Sequence, residues 1–327
     1  MLKLALVTLP GIVTSDSDLS NATLARFSLY ETFVKQHFER EVKRLGDQRM
    51  RMSEAEDAAL GAIEDDFVVH GIHFSMRLAH AVFIEQGGVN AIEYSAADSR
   101  GWKPKFFGSK ATPDVKFLRQ SCQLVSYTAL EADPPSPSRG IEPKKSIFSF
   151  VHRSILEFFY SCRLSDFVPD LRELDPLNDE SRYSDLSICL DPTSDISLLA
   201  GHPFNQRSIV SESSIVHFLV QHANAYPRFK DQLHAIVNLS KTNLAVSQAS
   251  SNSITILVQA GVQFNGADLR GIRIPGADLS GGHFDYTQLQ GADMTGVNLN
   301  KTWLRRADFS KAQMSGVHFG EKPYRGT

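Results

Sequence analysis

The sequence predicts an α+β multidomain chain, with a mostly α-helical N-terminal region followed by a repetitive segment of non-helical period. Three observations carry this. Apolar residues before position 260 recur at steps of three and four, which is the spacing of one helix face. From Val262 to Phe319 a large apolar residue recurs at every fifth position without a slip. Two stretches rich in Pro, Ser and Asp, 133–140 and 165–201, break the helical part. At 327 residues, two domains are the natural expectation. The boundaries read as a helical part at 1–164, an acidic linker at 165–201, a helical adaptor and cap at 202–260, the repeats at 261–320 and a tail at 321–327.

The apolar opening Met1–Leu9 has the length of a short leader. Pro10 interrupts it and Asp16 and Asp18 follow, so a buried helix is the preferred reading. The first long helix is marked by Phe27, Tyr30, Val34, Phe38, Val42 and Leu45, with charged residues between them. Ser53 opens a second helix reaching about Asp65. A third runs from about Asp66 to Glu85, with Phe67, Phe74, Leu78, Val82 and Phe83 inward and Gly87-Gly88 ending it. A short strand follows at Val89–Tyr94. After the proline-rich loop, Ile147–Val151 reads as a strand. A helix then starts at Ser154, where Ser154 and Glu157 have capping-box spacing. Beyond the acidic stretch, three helices are marked by Ile215, Phe218 and Leu219, by Phe229, Leu233, Ile236 and Val237, and by the run Ala245–Ala260.

Composition narrows the function classes. Hydrophobic residues make up 42% of the chain, enough for a packed core, and the net charge of −3 predicts no general affinity for nucleic acid or anionic membrane. Cys122, Cys162 and Cys189 are widely spaced, which suggests neither a zinc site nor a disulfide framework and fits a reducing, cytoplasmic compartment. No run approaches the ~20 apolar residues that span a bilayer, so no membrane partner is expected.

The five-residue period places Phe264, Leu269, Ile274, Leu279, Phe284, Leu289, Met294, Leu299, Leu304, Phe309, Met314 and Phe319 in equivalent positions. Two residues before each stands a small or β-branched residue, from Val262 and Ala267 to Ala312 and Val317. Neither the period of an α-helix nor that of a flat strand explains this. Written as Ala267-Asp268-Leu269, Ala277-Asp278-Leu279, Ala292-Asp293-Met294 and Ala307-Asp308-Phe309, the segment resembles the pentapeptide-repeat family. The resemblance implies a right-handed quadrilateral β-helix of four pentads per coil, hence three coils for twelve pentads. Stacked strands ~4.8 Å apart would make a rod only ~15 Å long. Residues twenty apart should stack, giving apolar columns such as Phe264–Phe284–Leu304. Both ends of so short a rod need caps, for which the preceding helix and the tail are the candidates.

Some members of that family are acidic rods that imitate DNA. Five acids stand against six bases between Ala260 and Gly320, a balance that does not imitate a polyanion. Lys301, Trp303, Arg305 and Arg306 cluster in sequence as a possible surface patch, although a solvated face is the preferred reading.

A second resemblance covers most of the remaining chain. The segment Phe148-Ser149-Phe150-Val151-His152-Arg153-Ser154-Ile155-Leu156-Glu157-Phe158-Phe159 is similar to the F-x-H-x-S-x-x-E signature of NACHT-type (STAND) signalling NTPases, where it closes a winged-helix subdomain. Leu29–Arg40 and the run Gly71–Tyr94 also resemble segments of that family. Fungal members join a NACHT module, a helical linker and pentapeptide repeats. In that family the signature histidine, here His152, approaches the phosphate of bound ADP. A local reading of His152 is a strand-end residue that orients the following helix.

No G-x-x-x-x-G-K-[S/T] string occurs in the sequence, so the chain reads as beginning after a catalytic core, with no cofactor of its own. Other constellations are weaker. His70 and His73 lack a third ligand, His152 and Ser154 lack an acid partner and a nucleophile elbow, and Asp65-Asp66 and Asp16/Asp18 fit helix starts better than an acid/base pair. The function expected is a non-catalytic regulatory or scaffold fragment that binds protein partners. The alternative is one half of an NTPase that binds ATP or ADP only together with a separate P-loop half. A DNA mimic is the third and weakest reading.

Overall fold

The computed structural model describes residues 26–95, 100–108, 112–122, 124–128, 145–165 and 196–320. The helix expected at 1–10, the proline-rich loop 133–140, nearly all of the acidic linker, Cys189 and the tail 321–327 lie outside the described residues. The chain divides into two units, one ending at Arg163 and one starting at Leu164.

The first unit is mostly helical around one small sheet. Helix α1, Arg26–Asp47, buries Phe27, Tyr30, Val34, Phe38 and Leu45. Helix α2, Glu54–Ile63, opens with a complete capping box between Ser53 and Glu56. Helix α3, Phe67–Gln86, ends at Gly87, whose φ of 63° is left-handed. The helices α1 and α3 meet at Gly71, where an added Cβ would lie 2.4 Å from the Phe38 ring. By length and composition α3 could cross a membrane, which corrects the expectation that no run is long enough. Its apolarity serves the core here: Phe67, Phe74, Leu78, Val82 and Phe83 are all buried.

Strands β1 (Ala91–Ser95), β2 (Leu124–Thr128) and β3 (Lys145–Phe150) form an antiparallel sheet in the order β1-β3-β2. The short helices α4 (Lys103–Phe107) and α5 (Pro113–Ser121) lie between β1 and β2 in the chain. Phe107 of α4 stacks on Phe148 of β3 with ring centroids 4.4 Å apart. Helix α6, Arg153–Ser165, contributes Tyr160, which stacks on Phe83 of α3 at 4.1 Å.

The start of α6 differs from the expectation. Ser154 is not the N-cap, and Glu157 pairs with Arg153 at 3.0 Å instead of reaching back. The capping side chain is His152, whose Nδ1 accepts the Ser154 N–H at 3.1 Å. The Ser154 hydroxyl is thereby released to bond His152 Nδ1 and the Tyr30 hydroxyl, each at 2.6 Å.

The second unit begins with helices α7 (Ile196–Gly201), α8 (Pro203–Gln206), α9 (Ser213–Ala225) and α10 (Pro227–Leu239) and continues into α11 (Ser247–Gln259). Helix α11 is nearly all buried although half of it is polar: Ser250, Ser251, Asn252, Ser253 and Thr255 are fully buried. Asn252 shows why this is tolerated. Its amide donates to the carbonyls of Phe204 (2.8 Å) and Arg207 (2.9 Å) and accepts the N–H of Ile209. A buried polar group is stable when its hydrogen bonds are made.

Burial also sets the charge state of His222, which lies against the rings of Tyr226 (4.6 Å) and Phe229 (4.8 Å). Desolvation lowers its pKa to about 4. Its unfolded value is about 6.5, so its contribution is complete above that pH and is lost as pH falls from 6.5 towards 4. The expected loss is on the order of 3 kcal/mol. Thermal unfolding of the chain should fall in midpoint between pH 7 and pH 4, and His222→Phe should remove much of that dependence.

The repeats follow α11 directly. Residues twenty apart form parallel bridges, among them Asp268↔Gln288, Arg273↔Asp293 and Gln288↔Asp308. Each central residue of the first two circuits donates its N–H to the carbonyl nineteen residues on, as Phe264 does to His283 and Leu269 to Gln288, both at 2.9 Å. Four pentads therefore make one circuit before the chain stacks on itself. Phe264 and Phe284 stack nearly parallel, with centroids 5.1 Å apart and planes at 8°.

The recurrence of Asp or Asn before the central residue has a local cause. Asp268, Asp278, Asp293, Asn298 and Asp308 each accept the backbone N–H two residues on, at 2.9–3.1 Å. Two residues after the centre the backbone turns left-handed, and most pentads place glycine there. At Gly271 (φ 68°) an added Cβ would touch nothing, so Gly271→Ala isolates the backbone penalty. The variant should lose about 1–2 kcal/mol in denaturant unfolding.

Burial departs from the expected uniform columns in the last circuit. Phe264, Leu269, Ile274, Leu279, Phe284, Leu289, Met294 and Leu299 are buried. Leu304, Phe309 and Met314 are only half-buried, and Phe319 is 52% exposed. The cause is geometric: each circuit is covered by the next, and no described circuit covers the third. At the other end, helical residues take the open edge. Ser251 Oγ donates to the Pro275 carbonyl at 2.8 Å, Thr255 Oγ1 accepts the Asp278 N–H at 3.0 Å, and Ser240 Oγ accepts the Arg273 N–H at 3.1 Å. The Arg273 guanidinium donates to the Ser240 carbonyl, and Lys241 Nζ to that of Asp268. Gly282 lacks a side chain where an added Cβ would stand 3.1 Å from Val258 of α11 and 2.6 Å from the Phe284 ring.

Candidate interaction surface

The twenty-residue circuit sorts the outward residues of the repeats into four sides. One side carries the pentads 262–266, 282–286 and 302–306. Before the central residue it places Gln263, His283 and Trp303; after it, Asn265, Asp285 and Arg305; at the corner, Gly266, Tyr286 and Arg306. It is the one side with neither Asp nor Asn in the slot before the centre in any circuit. The local hydrogen bond that favours those residues is given up there, and two rings stand in their place.

These rings are ordered against one another. Trp303, 59% exposed, stacks on His283 with centroids 5.7 Å apart and planes at 11°. The Arg306 guanidinium lies 5.9 Å from the centre of the Tyr286 ring, which is 48% exposed. Asn265 Oδ1 accepts the Asp285 N–H at 3.0 Å, and Asp285 Oδ1 accepts the Arg305 N–H at 2.8 Å. That ladder ends with the Arg305 side chain at an exposed position. Lys301 occupies the corner leading into Trp303. The four residues of the sequence cluster Lys301, Trp303, Arg305 and Arg306 thus belong to one side or its edge. His283 and Tyr286 were missed by sequence reasoning. Subtracting twenty from Trp303 and twenty from Arg306 would have found both.

The neighbouring side differs in character. Asp268 is bonded by the Arg270 side chain at 2.7 Å, and this partner holds its carboxyl well below the usual range. Asp308 is lowered by hydrogen bonds from Ser310 and Gln290. These carboxylates are engaged within the repeat.

In the first unit His152 is exposed, with Nδ1 committed to the start of α6. Among the described residues no group of three or more His, Cys, Asp or Glu is placed to hold a metal, at His70 and His73 or elsewhere.

No curated protein matches the chain. Residues 263–300 and 283–320 match the family described as pentapeptide repeats, in eight copies, and the segment 263–320 is therefore a run of pentapeptide repeats.

Proposed function

We propose that the chain is a non-catalytic regulatory or scaffold protein whose repeats, wound as a right-handed quadrilateral β-helix, present a surface to protein partners. Pentapeptide repeats are commonly protein-interaction modules. The observation that carries the reading is the pair of exposed, mutually ordered ring contacts on one side, Trp303 on His283 and Arg306 over Tyr286. Tyr, Trp and Arg are the residues that dominate protein interfaces. The helices before Val262 act in this reading as an adaptor that closes one end of the rod. Hydrogen–deuterium exchange of the full chain with proteins that co-purify with it tests this. Protection should fall on 263–320; protection confined to 26–165, or ATP turnover by the purified chain, would overturn it.

A second reading takes the first unit as the winged-helix end of a NACHT-type signal-transduction NTPase that binds ATP or ADP only with a P-loop half. It is supported by the residues Phe148–Phe159 and by His152, whose committed Nδ1 leaves Nε2 to meet a phosphate. Nucleotide affinity should then appear only on mixing with a P-loop half, and should fall with His152→Ala.

A further inference from the structure

We propose that the side of the repeats bearing His283, Trp303, Tyr286, Arg305 and Arg306, with Lys301 at its edge, is a docking surface for an acidic polypeptide segment. The proposal deepens the protein-interaction reading and rests on it.

The first observation is strain placed where no packing demands it. Tyr286 (φ 60°), Lys301 (φ 57°), Arg306 (φ 56°) and Lys311 (φ 62°) hold the left-handed corner that Gly266, Gly271, Gly276, Gly281, Gly291, Gly296 and Gly316 occupy elsewhere. A side chain there is a conformational cost. All four are aromatic or basic, and Arg306 sits directly over Tyr286. The second is charge. Residues 301–320 hold four bases, Lys301, Arg305, Arg306 and Lys311, against the single acid Asp308, whereas 261–300 hold four acids, Asp268, Asp278, Asp285 and Asp293, against Arg270 and Arg273. The cations are thus gathered in the last circuit, with Lys301, Arg305 and Arg306 on or at the edge of the side that bears the exposed rings and Lys311 on the neighbouring side. The third is order. Trp303 and Tyr286 are held by their stacking partners before any partner arrives, which lowers the entropic cost of docking.

This chemistry selects among occupants. A second copy using the same side would set the same cations against one another, because a two-fold contact repeats one patch. A nucleic-acid strand needs a track of cations, whereas this cluster is compact, includes Asp285 and belongs to a chain of net charge −3. A polypeptide whose carboxylates meet Lys301, Arg305 and Arg306, and whose apolar side chains meet Trp303 and Tyr286, satisfies both features.

The test uses the full chain and fluorescence anisotropy. The probe is a labelled peptide of roughly twelve residues, Glu interspersed with Leu, alongside its Gln and Lys analogues and a single-stranded oligonucleotide of roughly twelve nucleotides. The Glu peptide should bind, and weaken when salt is raised from about 0.05 to about 0.3 M. Trp303→Ala and Arg306→Ala should each weaken it by roughly tenfold or more, Arg306→Lys by less, and Arg270→Ala on the neighbouring side should leave it unchanged. Both substituted side chains are exposed, and circular dichroism checks the fold. Absence of binding, equal binding of the Gln analogue, equal loss with Arg270→Ala, or tighter binding of the oligonucleotide would each overturn the proposal. Exchange protection by a native partner on another side of the repeats would leave the broader reading standing.

Discussion

Phe284→Ala should cost about 3–5 kcal/mol in denaturant unfolding, while Phe319→Ala should cost well under about 1 kcal/mol. The two residues occupy the same position of their pentads. Phe284 is fully buried and stacks on Phe264 at 5.1 Å, and its removal leaves a cavity between two circuits. Phe319 is 52% exposed, so its loss removes little buried area. A repeat stabilised pentad by pentad would respond alike to both substitutions. A repeat stabilised by stacking responds to the first alone. Equal losses would refute the burial gradient along the rod, and the midpoint of a urea transition decides between them.

The second large effect is expected at Asn252. Replacing it by Ala removes the acceptor of the buried Ile209 N–H, the donor to the buried Phe204 carbonyl and the donor to the half-buried Arg207 carbonyl. Leaving a buried polar group unpaired costs about 1–3 kcal/mol, so the sum over these groups is on the order of 3–5 kcal/mol. Asn252→Leu should be as harmful, because its greater apolar volume restores none of the three bonds. Asn252→Asp keeps the acceptor and loses the donors, and should also destabilise. Urea unfolding of the three variants measures this; wild-type stability in Asn252→Leu would show that apolar packing, not the hydrogen bonds, holds α11 to the segment 204–209.

Much of this architecture was legible in the residues themselves. The spacing of Phe27, Tyr30, Val34, Phe38, Val42 and Leu45 marked a helix face, and all of them but the half-buried Val42 are buried in α1. The sequence pattern also named the residues that the twenty-residue pairing stacks. It failed where one residue serves a partner remote in sequence. Ser154 and Glu157 have capping-box spacing, yet the Ser154 hydroxyl reaches Tyr30, 124 positions earlier, and His152 does the capping. Helix α11 carries a polar stretch whose burial against the first circuit and the 204–209 segment depends on partners remote in sequence. The candidate surface was half legible. Trp303, Arg305 and Arg306 are neighbours in sequence, while His283 and Tyr286 join them only through the twenty-residue offset.

The amino-acid sequence alone determined the period, and with it which side chains are large, which are small and which turn the corners. Those choices are local, because each pentad must fit the space inside its own turn. Tertiary structure alone decided how deeply each pentad is buried, which edge is taken by helices, and which outward residues share a side. Those depend on what lies over and beside a residue, a matter of stacking twenty positions away. Twelve equivalent large residues thus become eight buried ones, three half-buried ones and one that is largely exposed.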